Sequence, residues 1–162
     1  MSHHTATITW KRQEESFTDN LYSRAHTWQF DGGTTVPASS SPQVVPPPYS
    51  DAASVDPEEA FVAALSSCHM LTFLFVASKR GFVVDAYHDE AVGKMAKNGA
   101  GRLSVARVTL APNITFAGDV TPSTADVETM HQEAHEACYL ANSVKTDVVV
   151  LAQGVIEPHR PE

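Results

Sequence analysis

The chain has 162 residues, 43% of them hydrophobic and 19% charged, which suits one globular domain with a core of its own. Eleven basic against nineteen acidic residues leave a formal net charge of −8, so no basic face is at hand for a nucleic-acid backbone or an anionic lipid surface. The opening "MSHHTATITW" has no basic region followed by an apolar run, so no signal peptide is expected and the reducing cytoplasm is the expected compartment.

In chain order, Ala6, Ile8 and Trp10 alternate with Thr5, Thr7 and Thr9, the pattern of a half-buried strand. "LYSRAHTWQFDGG" reads as a second strand, with Tyr22, Arg24, His26 and Trp28 on one face and Asp31-Gly32-Gly33 as the turn. Residues 34–55 shift to Pro, Ser, Ala and Val and include "VVPPPYS". Three consecutive prolines exclude a central strand or helix, so a long loop is expected, either a connector or one wall of a pocket.

Asp56-Pro57-Glu58-Glu59 then opens a helix: Asp caps it, Pro suits the first turn, and the acids complement the positive end of the helix dipole. It runs to Lys79-Arg80 and stops at Gly81. Because it is apolar almost all round, it is expected to be the central core helix, covered on several sides. Ser66, Ser67, His69 and Thr72 argue for a core helix over a membrane span. "FVVDAYHDEAVGKM" and "GRLSVARVTLAPNITF" read as two strands joined at Asn98-Gly99. Thr121-Pro122 opens a second helix with Val127, Met130, His131, Ala134, Cys138 and Ala141 inward, and "VKTDVVVLAQGVIE" closes the chain as a strand. The class is α+β with antiparallel sheets around a buried central helix, in a single domain over residues 1–162.

The two cysteines are the first candidates for chemistry. Cys68 lies three turns into its helix, where the dipole has faded, and Cys138 near the end of the second, where the dipole opposes a thiolate. A reactive thiolate needs positive charge nearby, and neither helix supplies it. His69 follows Cys68 directly, but adjacent helical side chains diverge by about 100 degrees, so it is no ready base for that thiol. His131, His135 and Cys138 at i, i+4 and i+7 could form a three-ligand zinc face, although Gln132 stands where a metalloprotease needs glutamate. Inert core packing remains the alternative for either thiol.

"DPEEAFVAALSSCHMLTFL" resembles the first signature of the OsmC/Ohr family of thiol-dependent organic hydroperoxide reductases, with Cys68 ten residues after Glu58. "HEACYLANSV" resembles the second, with Cys138 and Asn142 in place, but Tyr139 stands where many members have proline. The resemblance covers nearly the whole chain. It implies an OsmC-like fold in an intertwined homodimer, and a two-step peroxidase that needs no cofactor or metal. Cys68 would attack the peroxide and become a sulfenic acid, and Cys138 would resolve it as a disulfide. A dithiol reductant, in the family a lipoylated protein among others, would restore both thiols. The family's activating arginine, paired with the glutamate, falls best on Arg24, with Arg12 as the fallback.

Ten helical residues rise about 15 Å, so Glu58 and Cys68 of one chain are far apart. If they share a site with the arginine, Glu58 is expected from a second subunit across a twofold axis. Phe61, Leu65, Met70, Leu71, Phe73, Phe75 and Tyr139 are the expected wall of a pocket for bulky alkyl or lipid-like peroxides, with core packing as the alternative. Two competing functions are a non-catalytic protein of the same fold that binds an apolar ligand, and a zinc-binding protein.

Overall fold

The computed structural model describes residues 2–152, in two compact units, Met1–Ala60 and Phe61–Glu162. The expected closing strand beyond Ala152 lies outside the described residues.

In the first unit, β1 (Ala6–Thr9), β2 (His26–Phe30) and β3 (Thr35–Ala38) form an antiparallel sheet in the order β1-β2-β3. The expected half-burial of β1 is not seen: all four residues are exposed, Ile8 among them. β2 begins at His26, not at Leu21. The residues before it are held in tight turns, with Asn20 left-handed at φ 60° and the Leu21 amide bonded to the Ser16 carbonyl at 3.2 Å. Tyr22 and Arg24 therefore precede the strand. β3 lies inside the segment expected to be loop. It tolerates Pro37 because it is the edge strand of this sheet, where a missing donor costs little. The rest of that segment is irregular and held by Ser39, whose hydroxyl accepts the Asp51 amide at 3.0 Å, and by the Val55 amide on the Pro37 carbonyl at 3.1 Å.

Helix α1 spans Pro57–Lys79 and so begins in the first unit and continues through the second. Asp56 caps its start: its carboxylate accepts the Glu59 amide at 2.8 Å, and Glu59 reaches back to the Asp56 amide at 3.3 Å. Its end is a Schellman motif. Gly81 takes φ 79°, the Phe82 amide bonds the Ala77 carbonyl at 3.0 Å, and the Gly81 amide bonds Ser78 at 3.1 Å. By length and composition α1 could cross a membrane; what marks it as a core helix is the packing of one of its faces.

In the second unit the two long sequence strands are each broken in two. β4 (Val83–Asp89) pairs with β7 (Pro112–Ala117), and β5 (Val92–Lys97) with β6 (Leu103–Leu110), all antiparallel. The hairpin turn is held by the Asn98 side chain, which accepts the Ala100 and Arg102 amides, and by Gly101 at φ 74°. The break after Asp89 is a corner: the Asp89 carboxylate accepts the Ala111 amide at 2.7 Å and the Ser66 hydroxyl of α1 at 2.5 Å. β8 (Asp147–Val150) joins β6, in parallel. α2 (Thr124–Ala137) starts at a capping box between Ser123 and Asp126.

The corner splits the core along α1. Its first half places Leu65, with Phe61 and Val62, against Val108 and Leu110 of β6 and Val148 and Val150 of β8. Its second half places Phe73 and Ala77 against Ile114 and Phe116 of β7 and Val127, Met130 and Ala134 of α2. The expectation that α1 is covered on several sides is met along the stripe Leu65, His69, Phe73, Ala77 alone. Ala63, Ser67, Leu71 and Phe75, at the same four-residue spacing, are exposed; Leu71 and Phe75 are 61% and 62% accessible. One sheet-and-helix layer of this size is too small to wrap a helix that is apolar on both sides.

Candidate active site

The two thiols meet where α1 crosses α2. Cys68 lies mid-helix and half-buried, and Cys138 is the C-cap of α2 and fully buried. Their sulfurs are 2.9 Å apart, longer than the about 2.05 Å of a disulfide, so both are free thiols in contact. Burial pushes the Cys138 thiol above its ordinary value, and the hydrogen bond to Cys68 adds to the shift. Cys138 is thus held as a neutral thiol, which must give up its proton before its sulfur can act as a nucleophile.

The local sequence explains how Cys138 is aimed. α2 ends at Ala137, and Cys138 turns extended at φ −71° and ψ 114°. The Asn142 amide group donates to the Glu136 carbonyl at 2.8 Å and to the Cys138 carbonyl at 3.1 Å, while its backbone N–H bonds Cys138 as well. These bonds satisfy carbonyls that a helix end leaves open, and they fix the turn with Tyr139 after the cysteine. Tyr139 is 84% exposed, and its carbonyl accepts the Ser143 hydroxyl at 2.7 Å.

A second polar contact lies beside the thiols, and half of it is His69, which is no ready base for Cys68. His69, one residue after Cys68, faces His131 of α2, with His69 Nε2 and His131 Nδ1 3.0 Å apart, the ring planes within 11° of each other and the ring centres 5.3 Å apart. Both are almost fully buried, and burial lowers each pKa from 6.5 to about 4, so both are neutral; His131 and His135 also oppose the charging of His69. The wheel argument that separates His69 from Cys68 is correct, but it says nothing of a partner 62 positions away. Two histidines on the inner faces of two helices were the signal available. Among the described residues no group of three or more His, Cys, Asp or Glu side chains converges as a metal site.

Arg24 and Glu58 belong to the first unit. The Arg24 guanidinium lies 3.9 Å over the Tyr22 ring and donates to the Tyr22 carbonyl and, at 2.8 Å, to that of Asn20. Arg12 donates to the Glu15 carbonyl at 3.0 Å. Glu58 sits in the first turn of α1, half-buried. Of the expected pocket wall, Leu65 is enclosed in the core and Phe61 packs beside it. Met70 is half-buried, and Leu71 and Tyr139 face outward. Leu65 is therefore core filler within this chain.

The family model for OsmC-like proteins matches residues 50–151, a span that includes α1, both cysteines and Asn142. Among solved structures, an OsmC-like protein of unknown function from Vibrio cholerae O1 biovar eltor is 56% identical. It matches with a TM-score of 0.91 over 93% of this chain and 99% of its own. An organic hydroperoxide resistance protein from Elizabethkingia anophelis shares the fold at 13% identity and TM-score 0.66, covering 98% of each chain. One from Legionella pneumophila does so at 13% and 0.65, covering 97% of this chain and 98% of its own. No curated protein matches. With the family model spanning more than half of the chain and both cysteine motifs inside the match, the chain belongs to the OsmC-like family.

Proposed function

We propose that this protein is a cytoplasmic, thiol-dependent reductase of organic hydroperoxides serving in oxidative-stress defence. The observation that carries the reading is the 2.9 Å contact between two free thiols of unequal exposure, half-buried Cys68 and buried Cys138. Cys68 attacks the terminal peroxide oxygen; the O–O bond breaks, the alkoxide takes a proton and leaves as alcohol, and Cys68 is left as a sulfenic acid. Cys138 then gives up its proton, its sulfur displaces hydroxide, and water leaves as the disulfide forms. An external dithiol, such as a reduced lipoyl group, returns both thiols by exchange. No cofactor is required by this sequence of steps. Two solved relatives of the same fold are described as organic hydroperoxide resistance proteins, which supports the substrate class.

The working unit in this proposal is a homodimer. The exposed stripe Ala63, Ser67, Leu71 and Phe75 gives α1 a second apolar face, suited to a second copy of the same helix. Arg24 and Glu58 join the thiols in the assembled site, where the guanidinium stabilises the Cys68 thiolate, and Met70, Leu71 and Tyr139 meet the alkyl group. The test is turnover of an alkyl hydroperoxide with a dithiol, by wild type and Cys68→Ser. Loss of turnover in the variant is expected; full turnover there would refute the mechanism. A wild type that consumes no peroxide but retains an apolar ligand would favour a binding protein instead.

A further inference from the structure

The crossing of α1 and α2 carries two contacts side by side, and only one of them is made of thiols. Cys68 and His69 are successive residues of α1; Cys138 and His131 lie on the same inner face of α2, two turns apart. Sulfur meets sulfur at 2.9 Å and imidazole meets imidazole at 3.0 Å. The Phe73 ring also lies 4.4 Å from the His131 ring, so residues 69 and 73, on successive turns of α1, both contact it.

We propose that the buried His69–His131 hydrogen bond is a register pin, which fixes the sliding of α1 along α2 at the position where the Cys68 and Cys138 sulfurs touch. The inference rests on the dithiol reading above and makes the two histidines positioning residues, not catalytic ones.

The rest of the crossing cannot do this job. Ala77, Val127, Met130 and Ala134 make apolar contacts, which are non-directional and tolerate small shifts. A hydrogen bond between two planar rings has one geometry, and a single buried polar pair is an attested way to fix helix register. The pair is also not there for stability. His69 Nδ1 and His131 Nε2 are buried with no partner, and each such atom costs about 1–3 kcal/mol relative to an apolar replacement. A core selected for stability alone would carry leucine at both positions. The demand on register is strict, because a disulfide forms only within a narrow range of Cα separations and dihedral angles.

The test measures the effective concentration of the two thiols toward each other, by equilibrating the protein with reduced and oxidised dithiothreitol and quantifying the disulfide by alkylation and mass spectrometry. In that exchange the two protein thiols are oxidised to the disulfide, and oxidised dithiothreitol takes up their two hydrogens. For H69L/H131L the expected result is a thermal midpoint equal to or above wild type and an effective concentration at least tenfold lower. H131Q, whose amide can still bond His69, should stay within threefold of wild type. An effective concentration unchanged in the double variant would overturn the proposal, and so would a double variant that fails to fold, because the pair would then be holding the core together. A loss in H131Q as large as in the double variant would also count against a hydrogen-bonded pin. No peroxide enters the measurement. A wild type that exchanges normally but does not reduce hydroperoxide would sink the proposed function and leave the pin standing.

Discussion

Replacing Leu71 and Phe75 with aspartate tests whether the outward face of α1 is an interface. Fully burying a leucine or phenylalanine side chain is worth about 1.5–3 kcal/mol. With 61% and 62% of these residues exposed in the single chain, covering each contributes about 1–2 kcal/mol. A twofold dimer counts both positions twice, so the four side chains supply roughly 4–8 kcal/mol, before the added cost of burying carboxylates. At 1.4 kcal/mol per decade, L71D/F75D should weaken dimerisation by about three to six orders of magnitude. Sedimentation equilibrium across micromolar concentrations reads this directly, with wild type dimeric and the variant monomeric. Circular dichroism should be unchanged, since neither residue belongs to the buried stripe. A wild type that is monomeric, or a variant that remains a dimer, refutes the assignment of this face.

Cys138→Ser should still react with one equivalent of peroxide but stop at a Cys68 sulfenic acid, trapped by a dimedone probe; formation of a mixed population without that adduct would remove Cys138 from the resolving role. Since burial raises the Cys138 thiol, its alkylation in the reduced enzyme should rise only above the ordinary thiol range, and rapid labelling at neutral pH would contradict its placement. The histidine pair gives a pH signature: both pKa values are depressed from 6.5 to about 4, so above about pH 6.5 their titration costs nothing, and as the pH falls from there through about 4 the unfolded chain takes up protons that the buried pair resists and stability is lost. Urea midpoints should fall by an amount worth a few kcal/mol between pH 7 and 4.5 in wild type. The decline should be much smaller in H69L/H131L, and parallel curves for the two proteins would place the titration elsewhere. Asn142→Ala removes two side-chain bonds at the end of α2 and should cost about 1–2 kcal/mol of stability and slow disulfide closure; an unchanged closure rate would make Asn142 a helix cap only.

The helices were legible because their ends are chemical. Asp56 at the start of α1 and Gly81 at positive φ past its end act through bonds between near neighbours, which a sequence displays, whereas α2 was expected to open at Thr121-Pro122 and starts instead at the Ser123–Asp126 capping box. The strands were legible in content but not in extent. Nothing in "FVVDAYHDEAVGKM" marks a corner, because the corner is made by Asp89 reaching Ala111 and Ser66, more than twenty positions away in each case. The third strand hides in a proline-bearing segment that only an edge position tolerates. The pairing of Cys68 with Cys138 was legible through the family motifs, not through any property of either thiol. His69 was set aside because a helical wheel weighs a residue against its own helix, and its partner stands on another. Arg24 was placed on a strand face that starts two residues after it.

The most direct test of the account is a single turnover. Reduced protein receives one equivalent of an alkyl hydroperoxide without reductant and is quenched by alkylation, and its peptides are mapped by mass spectrometry. The account predicts one equivalent of alcohol and a Cys68–Cys138 disulfide, with neither thiol left to alkylate. Unreacted peroxide, or oxidation that leaves Cys138 free and Cys68 over-oxidised, would contradict it.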